Sequence, residues 1–179
     1  MYQGHFPPLG RVGVVAPPPL GFFDGEERYV DLQAYGEGPV DDERDAVVEM
    51  YLTFDPQFRT LGVPPISAAA VREWQDVLLD GHCVLAWHGD RVVGQAVLVP
   101  DGDGDHEFAI FLHQEYHGAG IGTRLTEATL SYGHERGVDR VWLLVERDNR
   151  PAVALYRDVG FAVTSTVGAE MEMALTMDW

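Results

Sequence analysis

The feature that most constrains the fold is a glycine-rich segment between a strand pattern and a helix pattern. Residues 118–122 read Gly-Ala-Gly-Ile-Gly. The apolar run 108–112 before them is typical of a buried strand, and the apolar residues after them recur at helical spacing until Gly137 ends the pattern. Alternate glycines leave backbone N–H groups unobstructed at the positive end of the helix dipole. The segment therefore predicts a binding site for a phosphate or pyrophosphate group.

Two common phosphate-binding motifs do not fit this segment. A P-loop requires a lysine after its last glycine, and this chain contains no lysine. The dinucleotide motif Gly-x-Gly-x-x-Gly, started at Gly118, requires a glycine where Thr123 stands, and it belongs to the first strand of a domain. A tight strand-to-helix turn that binds nothing stays open as an alternative.

A second segment, residues 149–161, follows the strand pattern of residues 141–145. Pro151 suits the first turn of a helix and Gly160 suits its end, so the segment predicts a helix of about two to three turns. Asn149 is the only asparagine of the chain and heads this helix. A helix-capping role explains Asn149 as well as a ligand-binding role does.

Taken together, the two segments resemble the GNAT superfamily of N-acetyltransferases. The acetyl-CoA loop of that superfamily, Gln/Arg-x-x-Gly-x-Gly/Ala, corresponds to residues 117–122, with His117 in place of the usual Gln or Arg. Its later motif, Asn-x-x-Ala-x-x-Leu-Tyr-x-x-x-Gly-Phe, is matched at Asn149, Ala152, Leu155, Tyr156, Gly160 and Phe161. The resemblance covers about residues 28–179, behind a proline-rich extension at residues 1–27.

The resemblance implies a GNAT fold of the α/β class: a mixed, mainly antiparallel twisted sheet of about seven strands flanked by about four helices. The sheet is expected to begin with the alternating segment 28–35 and to splay near its fourth strand, with the cofactor in the gap. The implied function is acetyl-CoA-dependent transfer of an acetyl group to a primary amine by direct attack. The expected cofactor-binding residues are Leu112, His117, Gly118, Ala119, Gly120, Ile121, Gly122, Thr123, Asn149 and Tyr156.

Two catalytic roles follow from this expectation. The resemblance places the hydroxyl of Tyr156 near the cofactor sulfur, where it can protonate the leaving thiolate. Glu107 is a carboxylate at the start of an apolar strand, where desolvation can raise its pKa towards the range useful for a general base. His106 and His113 stay open as alternative bases because histidine titrates near neutral pH. The backbone N–H of Leu112 is the expected oxyanion donor.

The acceptor is not fixed by the sequence: a small amine, a protein lysine and a protein N-terminus all remain. The segments 41–53 and 67–79 are predicted to form the first two helices. Four aromatic residues on these helices and their connecting loop either line an acceptor cleft or belong to the core, and the core is favoured; they are Tyr51, Phe54, Phe58 and Trp74. A non-catalytic acetyl-CoA-binding sensor is the alternative function.

The amino-acid composition limits the partners and the cellular location that can be expected. The formal net charge is −17 and all twelve basic residues are arginine, which argues against nucleic acid as a partner. The acidic residues are dispersed along the chain, and this distribution favours a salt-adapted protein from a halophilic archaeon over a site for cationic substrates. Neither a signal peptide nor a membrane-spanning stretch is evident, so we expect a cytoplasmic protein. Cys83 is the lone cysteine, no metal is expected, and a homodimer is left open.

Overall fold

The computed structural model describes residues 15–55 and 64–178. Their helices and strands occur in this order: β1 Leu20–Phe23, β2 Tyr29–Ala34, α1 Glu43–Leu52, α2 Ala68–Leu78, β3 His82–His88, β4 Arg91–Pro100, β5 His106–Leu112, α3 Ile121–His134, β6 Arg140–Glu146, α4 Arg150–Val159, β7 Ala162–Val167 and β8 Glu170–Thr176.

The helices begin at residues that their local sequence selects, with one exception. Asp42, Ser67 and Asn149 each accept a hydrogen bond from a first-turn N–H of α1, α2 and α4. The N-cap of α3 is Gly120, in the left-handed conformation, and no side chain caps that helix. Among these four helices, α3 alone therefore begins without a side-chain acceptor for its first-turn N–H groups.

The strands form one sheet in the order β1-β2-β3-β4-β5-β6-β8-β7. Every neighbouring pair is antiparallel except β5 and β6, which are parallel. These two strands pair only at His106 with Val141 and at Glu107 with Trp142. Beyond Glu107 they separate, so the sheet splays at β5. The expected α/β fold with a splayed, mainly antiparallel sheet is confirmed.

The sheet holds one strand more than expected. Residues 20–23 were expected to belong to the proline-rich extension, but they form β1, which pairs with β2 from Leu20↔Leu32 to Phe23↔Tyr29. Residues 1–27 are therefore not wholly an extension of the sheet domain. Four residues beside a proline cluster are too few to show the alternation that predicts a strand. The strand β1 forms because its backbone hydrogen bonds to β2. Residues 1–14 of the extension lie outside the described residues.

Each face of the sheet carries its own core. On one face, α3 and α4 cover a cluster that includes Phe108, Leu125 and Tyr156. On the other face, α1 and α2 cover a cluster that includes Tyr51 and Trp87. Side chains of β5 alternate between the two clusters, as the period of a strand requires. The splay beside β5 therefore lies between the two cores.

Candidate active site

A cavity of about 330 Å³ occupies the splay of the sheet. It is bounded by β5, β6, α2 and α4. Three of the predicted site residues line it together: Glu107 from β5, Asn149 at the start of α4, and Tyr156 within α4. The structure thus brings the expected base and the expected acid to one space.

The cavity is lined from both faces of the sheet. Phe108 and Ile110 belong to the core under α3 and α4, whereas Ala109 and Phe111 pack against the core under α1 and α2. All four residues line the cavity, together with Trp74 of α2. Two molecules could therefore meet in this space from opposite faces of the sheet.

The backbone of β5 offers hydrogen-bonding groups to the gap. The His113 N–H donates to the Val93 carbonyl at 2.8 Å, so it points to β4. Backbone groups alternate sides along a strand, and the N–H groups of Leu112 and Ile110 therefore point towards β6. No residue of β6 is paired with β5 at these positions. The Leu112 N–H is thus directed as its expected oxyanion role requires.

His117 contacts the other backbone group of Leu112. Its Nε2 lies 2.7 Å from the Leu112 carbonyl oxygen, which can only accept, so Nε2 carries the proton in this contact. The imidazole thereby satisfies a carbonyl that the splay has left without a strand partner. This contact gives His117 a role that the sequence did not specify.

The glycine-rich segment has the backbone geometry that an anion requires. Gly118 and Gly120 have φ of +74° and +85°, in the region that favours glycine, and a Cβ on either would meet no atom within 4 Å. A Cβ on Gly122 would lie 3.2 Å from Cδ1 of Leu155, so α3 begins close against α4. The first-turn N–H groups of Ile121, Gly122 and Thr123 have no acceptor within the helix. This combination of open space and unused donors fits a diphosphate.

Tyr156 is a buried phenol, only 8% exposed. Its ring packs edge-on against Phe108 and Phe161, with ring centroids 6.2 and 5.8 Å apart. Burial raises the pKa of Tyr156 to about 12. The hydroxyl is therefore protonated at neutral pH, so it can donate a proton and cannot serve as a base.

Glu107 lies where the pairing of β5 with β6 ends, and its side chain stays in contact with solvent. Partial burial raises its pKa, and the negative charge of Asp101 adds to that effect. The competing bases do not line the cavity. His113 is buried against Thr53, 3.0 Å from its hydroxyl, and the ring of His106 stacks on His82. The geometry therefore favours Glu107.

Comparison with known proteins identifies the family. The acetyltransferase (GNAT) family model matches residues 40–161. The chain belongs to this family. The match takes in α1 through α4, and therefore both the glycine-rich segment and the cavity.

Curated relatives are mycothiol acetyltransferases. The one from Catenulispora acidiphila is 37% identical over 84 residues, which is 43% of this chain and 27% of the relative. The one from Corynebacterium urealyticum is 27% identical over 149 residues, which is 75% of this chain and 44% of the relative. The chain thus spans less than half the length of either relative. Both are bacterial, so the halophilic archaeal origin stays a prediction without support from them.

Solved structures of the family share the fold. The GNAT domain of S. lividans PAT superposes with a TM-score of 0.72 at 16% identity, covering 88% of this chain and 96% of that one. The acetyltransferase yncA from Salmonella typhimurium, solved with its cofactor acetyl-CoA, has a TM-score of 0.65 at 18% identity, covering 83% and 94%. At such identities these likenesses support the GNAT fold alone.

Of the two roles that the sequence left open for Asn149, capping is observed and ligand binding stays a prediction. Its side-chain oxygen accepts from the Ala152 N–H at 3.4 Å, which confirms the capping role. Asn149 also lines the cavity. Leu144 and Glu146 line the cavity beside it and were missed by the sequence analysis. Their two-residue spacing puts both on one face of β6, and that spacing was the available signal.

The aromatic residues of the first two helices divide between core and cavity. Tyr51 and Phe54 are buried in the core, as favoured, whereas Trp74 is half-buried and lines the cavity. Phe58 lies outside the described residues.

Cys83 is buried, and burial raises the pKa of its thiol to about 12. The thiol is therefore protonated at neutral pH and unreactive.

Within residues 15–55 and 64–178, no three His, Cys, Asp or Glu side chains are grouped so that they could hold a metal ion. No helix there combines the length and the apolar character that crossing a membrane needs.

Proposed function

We propose that this GNAT protein is an acetyl-CoA-dependent N-acetyltransferase that acts on a primary amine by direct attack in a ternary complex. The observation that carries the proposal is a single cavity through the splay, lined from one face by the buried phenol Tyr156 and from the other by Glu107. A cavity open to both cores suits two substrates that must touch.

The donor substrate would lie against α3 and the free edge of β5. The N–H groups of residues 118–123 would hold the diphosphate of acetyl-CoA, with His117 fixing the start of the segment through its contact to Leu112. The N–H groups of Ile110 and Leu112 would bind amide groups along the arm. When bound, acetyl-CoA supplies an acetyl group on a thioester, which an uncharged amine can attack.

Proton transfer is divided between two residues. An alkyl amine with a pKa of about 10.4 is charged at neutral pH and must lose its proton before it can attack. Glu107, with its raised pKa, would accept that proton directly or through water. The Leu112 N–H would stabilise the negative charge that develops on the carbonyl oxygen. Tyr156 would donate its proton to the leaving sulfur and regain one from the nitrogen, which loses its second proton as the amide forms. Of the two protons that leave the ammonium group, one therefore reaches the thiol and the other passes through Glu107 to solvent.

The cavity lining indicates the acceptor class. Its described residues include two carboxylates, Glu107 and Glu146, and no basic side chain. On the α2 side it adds apolar surface from Trp74, Val77 and Leu144, of which Val77 and Leu144 are largely exposed. We infer that the acceptor is a cationic amine with an apolar body and without a carboxylate near the nitrogen, because a second negative charge would be repelled there. A small amine, a protein lysine and a protein N-terminus all meet this description.

Release of the CoA thiol during incubation with acetyl-CoA tests the proposal. Phenethylamine and tyramine would be compared with phenylalanine and tyrosine, which differ from them by the carboxylate. The amine acceptor of the mycothiol acetyltransferases would be tested in the same assay. We expect turnover with the amines and little with the amino acids. Binding of acetyl-CoA without thiol release for any amine would instead favour the sensor. The cytoplasmic location, the homodimer and the salt-adapted surface stay predictions.

A further inference from the structure

We propose that the turn between β1 and β2, residues 24–28, positions the glycine-rich segment for binding the diphosphate of CoA. This inference rests on the proposed function and concerns residues outside the stretch matched by the family model, 40–161. The turn contacts the segment that is proposed to bind the cofactor.

The first contact joins the two backbones directly. The Gly25 N–H donates to the Ala119 carbonyl at 2.9 Å. In a trans peptide the carbonyl and the following N–H point in opposite directions, so this bond directs the Gly120 N–H away from the turn. On Gly120 an added Cβ would meet no atom within 4 Å, which leaves room there for a ligand. The turn thus sets the direction of a donor in the middle of the segment.

The turn itself is held rigid by a buried carboxylate. Asp24 accepts the N–H groups of Glu26 and Arg28, both at 2.9 Å, and the Nε of Arg28 at 2.8 Å. Its side chain is fully buried against the Arg28 guanidinium. Burial on its own would raise the pKa of Asp24, but the hydrogen bonds from Arg28 and Glu26 and the Arg28 charge together hold it below the ordinary value. The carboxylate therefore stays ionised and keeps the turn closed at neutral pH.

Arg28 extends the same network to the segment that leads into the glycines. Its Nη1 donates to the Glu115 carbonyl at 3.0 Å, and its guanidinium lies over the Tyr116 ring, 4.2 Å from the centroid. The Tyr116 hydroxyl lies 2.7 Å from Nδ1 of His88 at the end of β3. One arginine thus links the turn, the approach to the glycine-rich segment and the sheet, and no single contact of lysine could replace this fork.

The expected consequence is a change in affinity without a change in chemistry. If the binding-competent form of the segment falls to about a tenth of the population, the apparent Kd for CoA rises about tenfold. Arg28→Met keeps the length of the side chain and removes its donors and charge. Arg136→Met is the matched control, because Arg136 also lies over a tyrosine ring, at 3.5 Å, and donates to a backbone carbonyl, but at the far end of α3.

Calorimetric titration with CoA decides the matter, with thermal unfolding of each variant as the check on folding. We expect about tenfold weaker binding for Arg28→Met and unchanged binding for Arg136→Met. In turnover assays the KM for acetyl-CoA should rise while kcat and the KM for the amine stay constant. Gly25→Pro, which removes the N–H donor, should weaken binding likewise. Gly25→Ala keeps the donor and adds a Cβ at 3.4 Å from Ala119 Cα, an ordinary van der Waals distance, so it should leave binding unchanged.

Hydrogen exchange on the unaltered chain gives a readout that needs no variant. Because coupling between sites is reciprocal, CoA should slow amide exchange in residues 24–28. If the unaltered chain binds CoA, and Arg28→Met and Gly25→Pro bind it with the same affinity, this inference alone is overturned. It is also overturned if CoA binds without slowing amide exchange in residues 24–28. Absence of CoA binding by the unaltered chain would overturn the proposed function and this inference with it.

Discussion

Replacing Tyr156 with phenylalanine removes one hydroxyl from the cavity and keeps the ring. The edge-on packing against Phe108 and Phe161 is retained, so the core under α4 should be preserved. The variant therefore isolates the proton that Tyr156 is proposed to give to the leaving sulfur. We expect kcat to fall while the affinity for acetyl-CoA stays the same.

The buried environment of the phenol limits the size of the effect. The pKa of Tyr156 is about 12, against about 8.5 for an ordinary thiol, so transfer to a free thiolate is uphill by about 5 kcal/mol. The hydroxyl therefore acts mainly as a hydrogen-bond donor to the developing thiolate, and its proton is transferred only where the reacting nitrogen replaces it in the same step. A hydrogen bond to a charged group contributes about 1.5–3 kcal/mol. Losing it should lower kcat by about ten- to a hundredfold.

The assay is thiol release with acetyl-CoA and the amine both saturating, with calorimetry reporting the affinity for acetyl-CoA. Tyr132→Phe is the control: Tyr132 lies on α3 under the Arg136 guanidinium and does not line the cavity. A kcat for Tyr156→Phe that matches the control would remove the tyrosine from the mechanism. The pH profile adds a check, since a phenol with a pKa of about 12 cannot cause a loss of activity centred near neutral pH.

Three further predictions follow from the charges and the backbone. Because burial and the charge of Asp101 raise the pKa of Glu107, kcat/KM should fall on acidification at a pH above 4.5. Asp101→Asn should move this fall to lower pH, and Glu107→Gln should abolish it. A fall that persists in Glu107→Gln would show that another group is the base. Gly120→Val should weaken CoA binding at least about tenfold in calorimetry. Gly168→Val is the control, because Gly168 also has a positive φ but lies in the β7–β8 turn, and this variant should keep the affinity for CoA. Loss of CoA affinity in Gly168→Val but not in Gly120→Val would place the diphosphate elsewhere. The net charge of −17 predicts a melting temperature that rises towards molar KCl, and a flat or falling one would contradict salt adaptation.

The parts of the fold that the sequence predicted are those governed by local chemistry. Ser67 and Asn149 cap α2 and α4 because their side-chain oxygens satisfy first-turn N–H groups a few residues away. Gly160 ends α4 with φ of +125°, where any other residue would be strained. Each of these boundaries depends on a handful of neighbouring residues.

What the sequence could not supply depends on distant partners. The strand β1 exists through its register with β2. The extent of the splay depends on where β5 and β6 stop pairing, after Glu107 and Trp142, and neither strand carries a signal for it. The contact of Gly25 with Ala119 likewise joins residues that only the folded chain brings together. For the same reason, the sequence could propose Tyr156 and Glu107 as acid and base, but only the structure shows that both line one cavity.

Within residues 15–55 and 64–178, the start of α3 and the free edge of β5 both leave backbone groups without a capping or strand partner, and both are assigned to the ligand. Three helices receive a side-chain cap and α3 does not, and β5 is paired along its whole length with β4 but only at its start with β6. A buried backbone group without a partner costs about 1–3 kcal/mol, so a fold selected for stability alone would close both gaps. His117 closes only part of one, by donating to the Leu112 carbonyl. The remaining donors lie along one path from Ile110 to Thr123, and an extended ligand with amide groups at one end and a diphosphate at the other would satisfy them all.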